Sequence, residues 1–229
     1  MVYNHLVTKV KKPICIISIS LASAISLAIA VPFIIYGSRS AGIKKDYQYL
    51  KTNSVYNSKV EVANVELVTQ HISCGYAVIE MMSSYYGNKV SEDDLSTKNK
   101  GKITTSSSNG FLKELKKSVP SQSFVKHSYL NNDVLLKEIY VSLMQGNPVA
   151  LEWAAQYEGS WTLHFSLISG IDIGNDNITI YNPYGLVENI TVDEFINRSS
   201  FKAYKKIPLF LSFGFAYGAF EKNTIFFAR

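Results

Sequence analysis

Apolar positions fall into three regimes along the chain. From Pro13 to Tyr36, PICIISISLASAISLAIAVPFIIY carries no charge for 24 residues. A helix rising about 1.5 Å per residue over that length matches a bilayer core of roughly 30 Å, so the stretch predicts a membrane-spanning helix. Residues 37–59 are polar with few aliphatic side chains and predict a tether. From Val60 onward the pattern is that of a folded domain, first with helical spacing and then with the two-residue alternation of strands.

Cys74, Ala77, Val78, Met81, Met82 and Tyr85 recur at helical spacing and line one side of a helix that Ser73 caps and Gly87 ends. A short helix follows Ser91, with Glu92, Asp93 and Asp94 in the first turn, where the helix dipole favours carboxylates. NGFLKELKKSV and NNDVLLKEIYVSLMQG predict two more, the second closed by Gly146 and Pro148. PVALEWAA, WTLHFSLISGI and NITIYNP are then rich in β-branched and aromatic residues, and DIGNDN supplies a hairpin turn between the last two. TVDEFINR predicts a short helix, while PLFLSFGFAYG and NTIFFAR predict late strands. The apolar run from Ile207 to Phe220 is 14 residues long and contains two glycines, which is too short for a second span and predicts a buried hairpin. Helices followed by an antiparallel sheet make an α+β domain over residues 60–229.

Charge sharpens this division. The first 45 residues hold Lys9, Lys11, Lys12, Arg39, Lys44 and Lys45 and no acid, whereas the remainder holds 17 basic against 18 acidic side chains. The basic excess therefore belongs to the arm, and no basic stripe with interleaved aromatics points to nucleic acid. Ala28 and Ala30 offer an A-x-A cleavage pattern, but VPFIIY extends the apolar run beyond it, so an uncleaved signal anchor over residues 13–36 is the expectation. Residues 1–12 are then a short cytoplasmic N-terminus, residues 37–59 a linker, and the domain is extracytoplasmic on a single-pass anchor in the cell membrane. Cys15 falls inside the anchor, so the domain has one cysteine, Cys74, and no internal disulfide.

Near the first turn of its helix, Cys74 is either a packed small hydrophobe or a nucleophile whose thiolate the helix end stabilises. A thiolate nucleophile needs a base, and the base needs an orienting partner. His164 lies early in the strand WTLHFSLISGID and Asn182 ends the strand ITIYNP; each has an ordinary structural role when taken alone. Folding the chain back about residues 173–176 makes them neighbours, which raises both as functional candidates.

The segments Q…CGYA..EMMSSYYG, GNPVAL, HFSLISGID and ITIYNPYG together resemble the C39 and C39-like peptidases of the papain fold, across roughly residues 62–200. The resemblance implies Cys74 as nucleophile, His164 as general base and acid, Asn182 as orienter, and Gln70 with the Cys74 N–H as oxyanion site. Asn182 stands where that family usually has aspartate, and Gln70 precedes Cys74 by only four residues, a shorter spacing than is usual there. The implied activity is hydrolysis of a peptide or protein substrate, by analogy a leader cut after a double glycine, with neither metal nor organic cofactor. A peptide-binding domain without turnover, or an acyl or amide transferase using the same thiol, are the other expectations.

Overall fold

The computed structural model describes residues 7–229, with side chains from Ile25 onward. Residues 1–6, part of the stretch read as a cytoplasmic N-terminus, and the Cys15 side chain lie outside the described residues. A long helix α1 (Val7–Gly42) leads into the domain. There follow β1 (Val60–Glu61), α2 (Cys74–Tyr85), α3 (Glu92–Lys98), α4 (Ser108–Ser118), β2 (Phe124–His127) and α5 (Asn132–Met144). The second half holds β3 (Val149–Tyr157), β4 (Ser160–Asp172), β5 (Asn177–Asn182), β6 (Leu186–Ile190), α6 (Val192–Ser199), α7 (Leu209–Ala216) and β7 (Thr224–Ala228).

The strands form one antiparallel sheet in the order β2-β7-β3-β4-β5-β6, and β1 pairs with the end of β4 beyond β3. This is the α+β architecture expected. Helix α2 packs on the central strand β4 and against α3 and α4, with Tyr76, Val78, Ile79, Met81 and Met82 all fully buried. Its start is fixed by Ser73, whose hydroxyl accepts the Tyr76 N–H at 3.2 Å, and α3 begins with a reciprocal capping box between Ser91 and Asp94.

A register change in the β4–β5 hairpin sets up the site. Next to the turn Ile171 faces Ile178 and Gly170 faces Thr179, whereas beyond Ser169 Ile168 faces Ile180 and Leu167 faces Tyr181. One extra residue is therefore taken up in β4 as a bulge. Because strand side chains alternate between faces, the turn-proximal register continued unbroken would put Asn182 on the face opposite His164. The bulge brings both to one face.

Three sequence expectations change. PLFLSFGFAYG is the helix α7, not a strand. It is apolar all round and so has no period to reveal a helix, while Pro208 at its N-cap starts the turn. It packs against α1: Phe33 meets Phe213 edge-on at 5.3 Å, and Tyr36 stacks on Phe215 at 5.6 Å. Secondly, much of the stretch read as a polar tether is packed against the domain, with Tyr47 and Leu50 in the main core and Ser58 Oγ 2.5 Å from Tyr140 Oη. Two buried apolar side chains in an otherwise polar segment leave too sparse a pattern to read. Thirdly, GLVENI, read as no element, forms β6.

In α1 the segment Ile25–Gly42 is long and apolar enough to cross a membrane by length and composition, and none of its residues is fully buried within the protein. If residues 47–52 belong to the folding unit, Leu50→Ala leaves a cavity and costs about 3 kcal/mol, read as a lowered urea midpoint with unchanged slope. A change below about 0.5 kcal/mol returns the segment to a loose tether.

Candidate active site

Cys74 is the first residue of α2, with Ser73 as cap, so the helix end expected of a nucleophile is present. A buried carboxylate holds the approach to it. Glu92, fully buried in α3, accepts the backbone N–H groups of His71 at 3.1 Å, Ile72 at 3.0 Å and Ser73 at 2.9 Å. Three donors on one carboxylate fix the loop that delivers Cys74, each bond to a charged acceptor being worth about 1.5–3 kcal/mol. Gly75 allows the rest of the approach, because a Cβ there would lie 2.4 Å from Thr105 Oγ1. The loop before α4 thus packs against the first turn of α2.

Pairing between β4 and β5 stops at Leu167, which leaves the β4 edge open over the residues before it. Phe165 lies at that edge, and its backbone N–H, with those of Gly75 and of Cys74 itself, favours the Cys74 thiolate. The residue preceding Phe165 is His164, so the hairpin brings the histidine to the helix tip. His164 is buried, and its Nε2 lies 2.8 Å from Asn182 Oδ1. The Tyr184 ring stacks on the imidazole at 4.1 Å, with its hydroxyl 2.8 Å from Thr162 Oγ1.

Asn182 has no freedom to turn over. Its Oδ1 also accepts the Tyr184 N–H at 3.0 Å, while its Nδ2 donates to Glu188 Oε1 at 2.5 Å. Glu188 is paired with the buried Arg198, Nη1 to Oε2 at 2.6 Å, and that guanidinium lies 3.5 Å over the Trp153 ring. An amide oxygen accepts only, so His164 carries its proton on Nε2 and leaves Nδ1 as the basic nitrogen. Sequence reasoning missed Glu188, Arg198 and the role of Glu92. A signal was present for Glu188, which stands two residues along β6 from the residue opposite Asn182 and so projects from the same face.

Electrostatics depart from the expectation that the helix end lowers the thiol pKa. Burial pushes the Cys74 thiol up to about 11, outweighing the N–H groups of Phe165 and Gly75 that favour the thiolate. Burial likewise holds His164 down at about 4, against the opposing pull of Asn182 and Glu188. At neutral pH both groups are therefore uncharged. Gln70 is tied to the residue after Asn182: its N–H donates to Pro183 O at 2.8 Å, its Oε1 is buried without a partner, and it lines a cavity of about 350 Å³ with Thr69, Tyr157, Pro183 and Tyr184. His71 is exposed and faces Glu92 and Asp93, and His127 is on the edge strand β2 with Nδ1 2.8 Å from Glu138. Neither joins the cluster.

Removing the Glu92 carboxylate orphans three N–H groups next to Cys74, so Glu92→Ala costs about 3 kcal/mol of stability, checked by denaturant unfolding. The imidazole gives a pH signature. Its folded value of about 4 lies below the ordinary 6.5, so its contribution is complete above pH 6.5 and is lost as pH falls towards 4. The gap corresponds to about 3 kcal/mol. Comparing the native chain with His164→Gln at pH 7 and pH 4 isolates this loss, and parallel curves would contradict it.

Comparison with known proteins bears on this arrangement. The Peptidase_C39 like family matches residues 62–208, a span that contains Gln70, Cys74, His164 and Asn182. A similar solved structure is the peptidase domain of Streptococcus ComA, described as a bi-functional ABC transporter involved in a quorum-sensing pathway. It is 17% identical, with 72% of this chain and 98% of that chain covered and a TM-score of 0.45. Among curated proteins none matches. The family match takes in well over half of the sequence, from the end of β1 to the start of α7, and the chain belongs to the Peptidase_C39 like family.

Proposed function

We propose that this is a membrane-anchored cysteine peptidase that cleaves a peptide bond through a thioester at Cys74. The observation that carries the reading is the hydrogen bond from His164 Nε2 to Asn182 Oδ1, made next to Phe165, whose backbone N–H favours the Cys74 thiolate. Nucleophile, base and orienter are then in series, with the free Nδ1 as the base. The apolar α1 segment, with none of its residues fully buried by protein, supports anchoring.

A neutral resting pair defines the order of proton transfer. As the sulfur attacks the substrate carbonyl, Nδ1 of His164 takes the thiol proton, so no thiolate has to persist in the closed cleft. The backbone N–H of Cys74 and the side-chain amide of Gln70 receive the developing oxyanion. The imidazolium, held by Asn182, gives its proton to the departing amine; the imidazole so restored then takes a proton from the water that attacks the thioester and returns it to the departing Cys74 sulfur. Asn182 supplies no charge, but the Glu188 carboxylate behind it supports the imidazolium through the amide. The cavity bounded by Gln70, Tyr157 and Tyr184 gives room for a substrate side chain next to the scissile bond.

A peptide-binding domain without turnover is the second reading, favoured by the Tyr184 ring closed over His164. The full chain in nanodiscs, incubated with a peptide library and followed by mass spectrometry, separates the two. The peptidase reading expects cleavage that falls by more than about 10³-fold in Cys74→Ala and His164→Ala and by about 10²-fold in Asn182→Ala. Retention of peptides without cleavage selects the binding domain. On the cleaved peptide, kcat/KM should rise through about pH 4 and show no alkaline limb before the thiol value near 11. An alkaline limb near pH 8 would overturn the neutral pair.

A further inference from the structure

Helix α7 has two apolar sides, and the protein covers the outer one only in part, where Phe213 and Tyr217 touch α1. Leu211 and Phe215 face inward and are buried with Phe201 and Ala154 in a second, smaller core. Leu209, Phe210, Phe213 and Tyr217 fall on the opposite side within roughly 100° of arc. Phe210 is 71% exposed, Leu209 74% and Tyr217 57%. A helix that is apolar all round is one whose whole surface leaves water, and four large side chains on one exposed stripe call for an apolar medium.

The position of α7 identifies that medium. The Tyr217 hydroxyl donates to the backbone carbonyl of Ala28 at 3.1 Å, and Phe213 packs on Phe33. Ala28 lies eight residues before Tyr36, about 12 Å along the helix axis and well inside the uncharged run. Any slab of hydrocarbon that surrounds α1 at that level also meets the outward stripe of α7. The α7 backbone is helical, so it satisfies its own polar groups at that depth.

Cations gather where α1 leaves this level. Lys45, Lys202 and Lys222 line a small pocket with Ser40, whose hydroxyl is buried without a partner. Among the described residues none of the three lysines is paired with a carboxylate, and Lys222 lies 5.1 Å from the Tyr36 ring centre. Lys205 and Lys206 stand just ahead of α7. Like charges held together without counter-charge fit an anionic phosphate, and aromatic rings at the same level are typical of a membrane boundary.

We propose that α7 is a second membrane-contacting element: its outward stripe lies among the acyl chains of an anionic phospholipid bilayer beside α1, with headgroup phosphates held by Lys45, Lys202 and Lys222. The proposal rests on the reading of α1 as an anchor, and the test separates the two. The full chain, with Cys15→Ser and Cys74→Ala to leave no other thiol, receives one cysteine at Phe210, Leu27 or Leu186 and a nitroxide label. It is placed in nanodiscs of phosphatidylcholine with or without phosphatidylglycerol, and collision rates are measured with oxygen and with a water-soluble nickel chelate. The expected result is an oxygen-to-nickel ratio at Phe210 matching that at Leu27 and several-fold above that at Leu186, which is exposed on β6. Lipid contact at Leu27 with water contact at Phe210 overturns the proposal and leaves the anchor standing; water contact at both overturns both. Inaccessibility of Phe210 to either reagent means that protein covers the stripe, and this also overturns the proposal. Replacing the three lysines by glutamine should abolish any preference for phosphatidylglycerol-containing vesicles in a flotation assay. An unchanged preference removes the headgroup part of the proposal.

Discussion

A buried imidazole has two nitrogens, and the chemistry of this site depends on which of them keeps the proton. Asn182 decides it. Its oxygen faces His164 because its nitrogen is committed to Glu188, and Glu188 is committed because Arg198 holds it from the other side. Arg198 is anchored in turn by the Ala154 carbonyl at 2.9 Å and by the face of Trp153. Removing any partner in this series leaves a buried polar group unsatisfied, which costs more than the lost bond itself. The carboxylate absent from the orienting position is thus present one side chain further back, shared with a guanidinium.

The other half of the site is a backbone problem. Cys74 is useful only if the helix tip stays against the open edge of β4, and nothing in Cys74 ensures that. Glu92 clamps the preceding loop, Ser73 caps the helix, and Gly75 lets Thr105 close in from the side. Burial prevails over the helix end in setting the thiol because desolvation acts on the whole charge of a thiolate, whereas the dipole supplies only a partial one.

How much of this was legible follows from where each signal resides. Helix α2, its cap and the β4–β5 hairpin are written in local periodicity and turn residues, so His164 and Asn182 could be brought together from the sequence, whereas Cys74 joined them only through the family resemblance. Glu92 was visible only as an acidic residue in a helical first turn, because its three N–H partners come from a loop 19 to 21 residues away in sequence. Glu188 gained meaning only once β6 was seen to fold back beside β5. Helix α7 was misread since phenylalanine favours strands and an all-apolar segment carries no helical period. Its second core also contacts Trp161 and Leu163, the latter adjacent to His164 in β4.

The bulge at Ser169 separates folding from chemistry. Pairing Ser169 with Ile180 instead would smooth the bulge and keep the hairpin while setting Asn182 opposite Leu167, on the far side from His164. Such a chain would remain folded with an imidazole free to adopt either tautomer. In this lineage an inactive descendant can thus arise through slippage of a single strand, with cysteine, histidine and asparagine all retained, and the retention of those three letters in a relative is not sufficient to assign it turnover.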